Sequence, residues 1–287
     1  MSLSAPVRCS ALAEELGEPM IGTVKPVPRW LLVEDRGLWG HDAVTDLLGR
    51  EAAAAAKAGG MKVLLVRQRE GDPAEDASRR VILVDTSTGE MANRAIADLS
   101  ELAVPEAATQ PVAAFGAALP GPLFLVCTNG KRDACCALRG RALMAALAER
   151  HADCTWESTH LGGHRFAGNL VCLPDGIVYG RVAPAEGPRL ADAYVEGLLD
   201  PALLRGRASW PMPAQVAEAA VRERLGLWGV GEVALVRASL DGERAEVVLA
   251  AGGAEHRVLL RREASTPERI TSCRADELET PMHWVLA

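Results

Sequence analysis

The apolar and polar positions in the centre of the chain follow a strand, helix, strand pattern. Residues 123–126 form a continuous apolar run between a proline and an Asn-Gly pair, which is typical of a buried strand that ends in a turn. Residues 132–151 place an apolar side chain at every third or fourth position, with charged residues between them, and this predicts an amphipathic helix. Residues 154–158 then predict a second strand.

The next segment extends this pattern to a complete small domain. Residues 169–173 and 177–179 flank a Pro-Asp-Gly turn and predict a β-hairpin. A last helix is predicted over residues 190–204. The resulting order, β-α-β-β-β-α, predicts a thioredoxin-like domain, in which helices cover a mixed sheet.

The first hundred residues repeat this order of elements. Residues 30–37 align with residues 123–130, and residues 89–94 align with residues 176–181, with glycine and arginine in register. We therefore predict two tandem thioredoxin-like units joined by residues 104–122; one irregular α/β extension is the alternative. Between the aligned ends, the pattern predicts a helix around residues 52–56 and strands at 61–66 and 81–84.

The pattern changes beyond Pro213. A helix over residues 214–225 precedes three strand-like runs separated by Asp-Gly and Gly-Gly pairs, which predict a small helix-and-meander module. The predicted fold class is therefore α/β (α+β). Its predicted domains are a first unit at 1–115, a second unit at 116–208 and the module at 209–287.

Composition limits the possible functions. The chain has 287 residues, of which 49% are apolar, and a net charge of -7, which argues against a nucleic-acid binder. The longest apolar stretch, residues 112–126, is shorter than the roughly 20 residues of a spanning helix. Residues 1–8 lack the pattern of a secretory leader, so we expect a cytoplasmic protein that contacts no membrane. A reducing compartment would keep its seven cysteines as thiols.

Two cysteines and two histidines in neighbouring loops outline a metal site. Cys127 lies at the end of the first central strand, and Cys136 lies in the first turn of the following helix, where the helix dipole favours a thiolate. His160 and His164 follow the second strand and enclose a Gly-Gly pair, which makes a helix costly and favours a loop. Glycine allows such a loop to wrap closely around an inorganic centre.

The other cysteines carry less chemical information. A single cysteine beside apolar residues is usually a small buried apolar side chain, and we interpret Cys9, Cys154, Cys172 and Cys273 in this way. Arg132 and Asp133, at the start of the central helix, are interpreted as structural support.

These motifs resemble the sucrase/ferredoxin-like family of thioredoxin-like [2Fe-2S] ferredoxins. The resemblance includes the cysteine segment at residues 127–137, the histidine segment at 158–167 and the Leu-Pro-Asp-Gly and Tyr-Gly-Arg motifs that follow. It extends to the N-terminal segments at residues 9–12 and 18–23, and so covers most of the chain up to about residue 205.

The resemblance implies a [2Fe-2S] cluster held by two cysteines nine residues apart and two histidines four residues apart. Carried over to this chain, the ligands are Cys127, Cys136, His160 and His164, and Cys135 is outside the ligand positions. The chain departs from the family motif at Asn129, where the family often has a histidine. No pair of carboxylates is placed for glycoside hydrolysis, so the residues do not support a sucrase activity.

The residues leave three functions open, beside the remaining alternative of a scaffold protein that has lost its centre. The first is an iron-sulfur protein in electron transfer or redox sensing, an electron carrier for an unknown redox partner rather than a stand-alone enzyme. The second is a structural Cys2His2 zinc site in an interaction protein. The third is a thiol-disulfide oxidoreductase, which the absence of a Cys-x-x-Cys motif disfavours.

The first unit shows no such ligand pattern. Glu34 occupies the position that matches Cys127, and residues 30–99 contain no cysteine and no HxxxH motif. We therefore expect this unit to be the structural partner of the second, in a monomer that contains an internal pseudo-dimer.

Overall fold

A computed structural model of the chain describes residues 8–68 and 78–287, so the leader interpretation of residues 1–7 falls outside the described residues. In the described ranges, ten strands form one mixed sheet. These strands are Arg29–Glu34 (β1), Met61–Arg67 (β2), Arg79–Asp85 (β3), Glu90–Ile96 (β4), Ala117–Ala118 (β5), Leu123–Cys127 (β6), Thr155–Ser158 (β7), Leu170–Leu173 (β8), Ile177–Tyr179 (β9) and Leu204–Arg207 (β10).

The same ranges contain eight α-helices. No described helix has both the length and the apolar composition that a membrane span requires. The helices are Cys9–Glu15 (α1), Ala43–Leu48 (α2), Arg50–Ala58 (α3), Val104–Ala107 (α4), Val112–Phe115 (α5), Ala134–His151 (α6), Gly187–Val195 (α7) and Met212–Leu225 (α8).

The large sheet contains the same strand arrangement twice. Its order is β10-β9-β8-β6-β7-β2-β1-β3-β4-β5. In the first half β1 pairs with β2 in parallel and with β3 antiparallel, and β4 follows β3. In the second half β6 has the same relation to β7 and β8, and β9 follows β8. The two halves therefore share one topology.

The two halves meet at an antiparallel pairing of β2 with β7. Val66 lies opposite Ser158, and Arg67 lies opposite Glu157. The side chains of Arg67 and Glu157 also form an ion pair of 2.8 Å. The sheet is consequently continuous from one half to the other.

Alternation along the strands divides the core into layers. In β1, Trp30 and Leu32 join a buried layer that extends into the second half, whereas Leu31 and Val33 face the helices of the first half. In β6, Leu125 lies in the shared layer. Because these strands are buried on both faces, their sequences are continuous apolar runs rather than alternating ones.

The C-terminal part forms a second sheet against α8. Its four strands pair in sequence order as an antiparallel meander, and apolar residues of α8 such as Val221 pack on it. The strands are Val233–Asp241 (β11), Arg244–Ala251 (β12), Ala254–Ala264 (β13) and Met282–Leu286 (β14).

Two of the differences from the sequence prediction concern strands β10 and β14. The helix predicted over residues 190–204 is α7, which ends at Val195. Leu204 instead begins β10, an edge strand whose Arg205 and Arg207 are buried and hydrogen-bonded. Because two of its four residues are arginines, β10 lacks the apolar run that predicts a strand. The fourth meander strand, β14, was also not predicted. The mixed sheet with helices agrees with the α+β class, and the domain boundaries stay a prediction.

Candidate metal centre

Strand β6 carries Cys127 to one edge of the sheet. Cys127 is its last residue, is buried, and lies on the same face as Leu125. Because β6 and β7 are parallel, their carboxyl ends meet at this edge, and Cys127 lies opposite Ser158. His160 follows Ser158 by two residues, so the sheet brings the histidine loop beside Cys127.

Helix α6 brings Cys136 to the same point. The Asp133 side chain accepts a hydrogen bond of 2.9 Å from the backbone N–H of Cys135 and so caps the helix. Gly140 then packs on the end of β6, since a Cβ atom there would lie 2.1 Å from the carbonyl oxygen of Cys127. This glycine allows the close approach of helix and strand that buries Cys136 beside Cys127.

Glycines and a buried arginine shape the histidine loop. Gly162 and Gly163 have φ of 101° and 67°, a region that favours glycine. A Cβ atom on Gly163 would lie 2.3 Å from the guanidinium of Arg205. That guanidinium donates to the carbonyl oxygen of Gly162 at 3.2 Å and to Oδ1 of Asn169 at 2.7 Å. The buried guanidinium of Arg205 therefore holds the histidine loop in place through its backbone.

Three of the four predicted ligands converge. The ligand atoms of Cys127, Cys136 and His160, which we call the Cys127 group, all lie within 4.8 Å of one another. His164 is outside that limit, but its ring centroid lies 4.9 Å from that of His160. Among the described residues, the Nδ1 atoms of His160 and His164 are buried and have no hydrogen-bond partner. Each ring thus has a nitrogen that a metal ion could bind.

The two thiols differ in their affinity for a proton. A hydrogen bond from Cys136 holds the pKa of Cys127 well below its usual range, and His160 and the backbone N–H of Leu161 lower it further against the effect of burial. The same hydrogen bond, together with burial, raises the pKa of Cys136. Cys127 is therefore the thiol of the pair that loses its proton more readily, and metal binding requires both thiols to be deprotonated.

Lys62 places a positive charge close to these sulfurs. Its ammonium donates to the carbonyl oxygen of Leu161, beside His160, and interacts electrostatically with Cys127. Burial lowers the pKa of Lys62 to about 8. Sequence analysis did not identify Lys62 or Arg205, because both belong to strands remote in sequence from the ligand motifs.

The loop between Cys127 and Cys136 is tied to the first half of the chain. Asn129 accepts backbone hydrogen bonds from Lys131 and Arg132 through Oδ1, and its Nδ2 donates to the carbonyl oxygen of Gly40. Arg132 pairs with Asp42 at 2.9 Å. Asn129 therefore stabilises the loop, and Arg132 joins it to the first half of the chain.

His160 borders a surface groove, whereas the two cysteines are buried. The groove lies between the two halves of the chain, and its other lining residues include His41, Asp42, Asn129 and Arg132. The histidine side of the centre is therefore the side that solvent or another protein can approach.

Cys135, which immediately precedes Cys136, points to a different set of residues. Its sulfur lies 3.6 Å from that of Cys9 and 3.2 Å from that of Cys273. Cys9 is buried as the sequence predicted and Cys273 is half-buried, but both contact other cysteines. Their partners are 126 and more residues away, so no local spacing indicated this arrangement.

Fold and site together define an α+β protein with a candidate cysteine and histidine metal centre at one edge of a mixed sheet that contains the same strand arrangement twice. The chain belongs to the sucrase/ferredoxin-like family, whose model matches residues 20–206. That match includes both halves of the sheet and all four predicted ligands.

Two curated relatives have the name "Altered inheritance of mitochondria protein 32". The protein from Meyerozyma guilliermondii is 32% identical over 94 residues, which are 29% of this chain and 30% of that protein. The protein from Eremothecium gossypii is 32% identical over 120 residues, 33% of this chain and 38% of that protein. The chain thus spans less than two fifths of the length of these relatives. No solved structure matches it.

Proposed function

We propose that the chain binds one [2Fe-2S] cluster through Cys127, Cys136, His160 and His164 and serves in electron transfer or redox sensing. The observation that carries the proposal is the convergence of the Cys127 group within 4.8 Å at one edge of the sheet. The family name, which contains the word ferredoxin, supports the same interpretation.

The donor set fits such a cluster. Thiolates bind iron in iron-sulfur proteins, and two imidazoles replace two thiolates in Rieske centres. Burial without a hydrogen-bond partner is costly for a ring nitrogen, and a metal ligand role for Nδ1 of His160 and His164 removes that cost. When bound, a [2Fe-2S] cluster supplies a one-electron redox couple.

The surrounding residues favour a more positive potential. Lys62 and Arg205 are cations close to the thiols, and positive charge stabilises the added electron of a reduced centre. Two neutral imidazole ligands in place of thiolates act in the same direction. The cysteines are shielded, and His160 borders the groove, so electrons would pass to a redox partner on the histidine side.

The duplicated topology supports two tandem thioredoxin-like units. Each half has one parallel pair, β1 with β2 or β6 with β7, extended by two antiparallel strands. In this proposal the first unit is the structural partner of the second within a monomeric, cytoplasmic electron carrier. Its partner is a protein rather than a nucleic acid or a membrane.

The proposal is tested on protein purified anaerobically. Absorption and EPR spectra detect the cluster, and assays of iron and acid-labile sulfide give its composition. We expect a red-brown protein with two irons and two sulfides per chain, as the composition of a [2Fe-2S] cluster requires. Cys127→Ala, Cys136→Ala, His160→Ala and His164→Ala should lose the cluster. Cys172→Ala, which removes another buried thiol of the same half, should keep it and is the matched control.

Two results would contradict the proposal. A colourless protein with one zinc bound by the same four residues would support the structural Cys2His2 alternative. Retention of the full cluster in Cys136→Ala would show that Cys136 is not a ligand.

A further inference from the structure

Three cysteines from distant parts of the chain meet beside the start of α6. Cys9 is the first residue of α1, Cys135 is the second residue of α6, and Cys273 lies between β13 and β14. Their sulfurs are separated by 3.6 Å (Cys9 to Cys135), 3.2 Å (Cys135 to Cys273) and 3.6 Å (Cys273 to Cys9). The three sulfur atoms therefore form a nearly equilateral triangle.

This triangle has the size that a tetrahedral thiolate site requires. Zinc binds cysteine sulfur at about 2.3 Å, so two sulfurs on a tetrahedral ion are about 3.8 Å apart. The observed distances are 0.2 to 0.6 Å shorter than that, and a small outward shift of each side chain accommodates the ion. A disulfide would require a sulfur distance of about 2.05 Å.

Asp133 supplies a fourth donor. Its carboxylate is fully buried, and both of its oxygens lie 3.9 Å from the sulfur of Cys9. Backbone N–H groups of Cys135 and Cys273 and the hydroxyl of Ser272 donate to these oxygens and fix their orientation. We call Cys9, Asp133, Cys135 and Cys273 the Cys9 group; their ligand atoms all lie within 4.8 Å of one another.

The Cys9 group is distinct from the Cys127 group. Neighbouring residues on a helix point about 100° apart, so Cys135 and Cys136 face different sides of the first turn of α6. Four protein donors leave no open position, which is the arrangement of structural rather than catalytic zinc sites. The donors are thiolates and a carboxylate, a set that suits a borderline-soft divalent cation.

We propose that the Cys9 group binds one zinc ion that fastens the N-terminal helix and the segment before β14 to the start of α6. A buried ion pair of 2.9 Å already joins Glu18, three residues after α1, to Arg269 in the segment before β14. A metal ion at the Cys9 group stabilises this junction, because its binding free energy becomes folding free energy. The proposal is independent of the function proposed for the Cys127 group.

The proposal is tested by elemental analysis of the intact chain, purified without chelators. Mass spectrometry gives the amounts of zinc and of iron per chain in the same sample. We expect about one zinc per chain, the stoichiometry of a single structural site. Cys273→Ala should lose the zinc and keep the iron. Cys127→Ala should lose the iron and keep the zinc, so failure of either site is distinguishable from failure of the other. Cys154→Ala is the control for removal of a half-buried cysteine outside both groups.

A conservative variant keeps the test decisive if loss of a ligand disturbs folding. Cys273 is half-buried, and Cys273→His replaces a thiolate by another zinc ligand, so this variant should recover zinc that Cys273→Ala loses. The proposal would be overturned if the wild-type protein contained no zinc or if Cys273→Ala retained its zinc. A disulfide between Cys135 and Cys273 in the isolated protein would also overturn it.

Discussion

Oδ2 of Asp133 lies 3.9 Å from Nε2 of His164. Asp133 belongs to the Cys9 group, and His164 is a proposed ligand of the neighbouring centre, so one buried carboxylate lies between the two. The same carboxylate caps α6, the helix that carries both Cys135 and Cys136. A substitution of Asp133 should therefore affect His164 as well as the thiols of the Cys9 group.

The first prediction concerns the pH dependence of the potential. Burial lowers the pKa of His164, and the Asp133 carboxylate opposes that shift. Reduction adds negative charge, so the pKa of a ligand histidine is higher in the reduced state and electron uptake is coupled to proton uptake. The potential should fall as pH rises between the two pKa values, by at most about 59 mV per pH unit for one proton. Redox titration from about pH 6 to 9 measures the slope.

Asp133→Asn should move the sloping interval of that titration to lower pH. Asparagine also caps helices, so α6 is retained, but loss of the anion lowers the pKa of His164 in both redox states. Asp153→Asn, which changes an exposed carboxylate just beyond the C-terminal end of α6, is the control. A potential that does not depend on pH in the wild type would mean that neither histidine is a titrating ligand.

Lys62→Met should lower the potential of the proposed cluster. The loss of a cation close to Cys127 removes roughly 1 kcal/mol of stabilisation of the added electron, which corresponds to about 40 mV for a one-electron couple. Since burial lowers the pKa of Lys62 to about 8, the lysine is increasingly neutral above that pH, and the difference from wild type should shrink. Lys57→Met, at an exposed position of α3, should leave the potential unchanged. An equal effect of both variants would exclude a local role for Lys62.

Gly140→Ala should destabilise the protein and deplete the metal centre. Alanine usually stabilises a helix relative to glycine by about 1 kcal/mol, but here its Cβ would lie 2.1 Å from the carbonyl oxygen of Cys127. Overpacking of this kind costs about 1–3 kcal/mol. Urea unfolding gives the free energy of unfolding, and metal analysis gives the occupancy. Gly231→Ala, where a Cβ has no atom within 4 Å, should be neutral. A more stable Gly140→Ala would contradict the close approach.

Arg269→Met should cost about 1.5–3 kcal/mol of unfolding free energy, because it removes a charged hydrogen-bond partner of the buried Glu18, which keeps its ion pair with Arg165. The matched control is Arg237→Met, which breaks an exposed pair with Glu246 and should cost about 0–1 kcal/mol. Urea unfolding at neutral pH compares the two variants. Equal losses would show that the Glu18–Arg269 pair does not fasten the C-terminal segment.

Strands that are buried on both faces were the easiest elements to predict. Strands β1, β2, β3 and β6 appear as apolar runs bounded by charged or turn residues, and the Pro-Asp-Gly turn located the hairpin of β8 and β9. Strand β10 was missed, because its buried arginines are satisfied by partners elsewhere, such as Asn169 for Arg205. The sequence could not reveal those partners.

The sequence outlined a metal site in two loop motifs, and the resemblance to the family assigned its four candidate ligands. Cys127 and Cys136 are nine residues apart, and His160 and His164 are four apart, so each pair is visible as a motif in the sequence. The structure adds the reason that the two motifs meet: β6 and β7 are parallel neighbours, and both motifs follow their carboxyl ends. It also adds the positive charges of Lys62 and Arg205.

The sequence was enough to predict the order of most elements and to locate the cysteine and HxxxH motifs, because these depend on residues close together in the chain. The folded structure was needed to show that the two halves share one sheet and that Cys9, Cys135 and Cys273 lie together. Contacts across 126 to 264 residues leave no periodic or spacing signal, since they arise when separately formed elements pack. The second cysteine group is therefore a property of the folded chain.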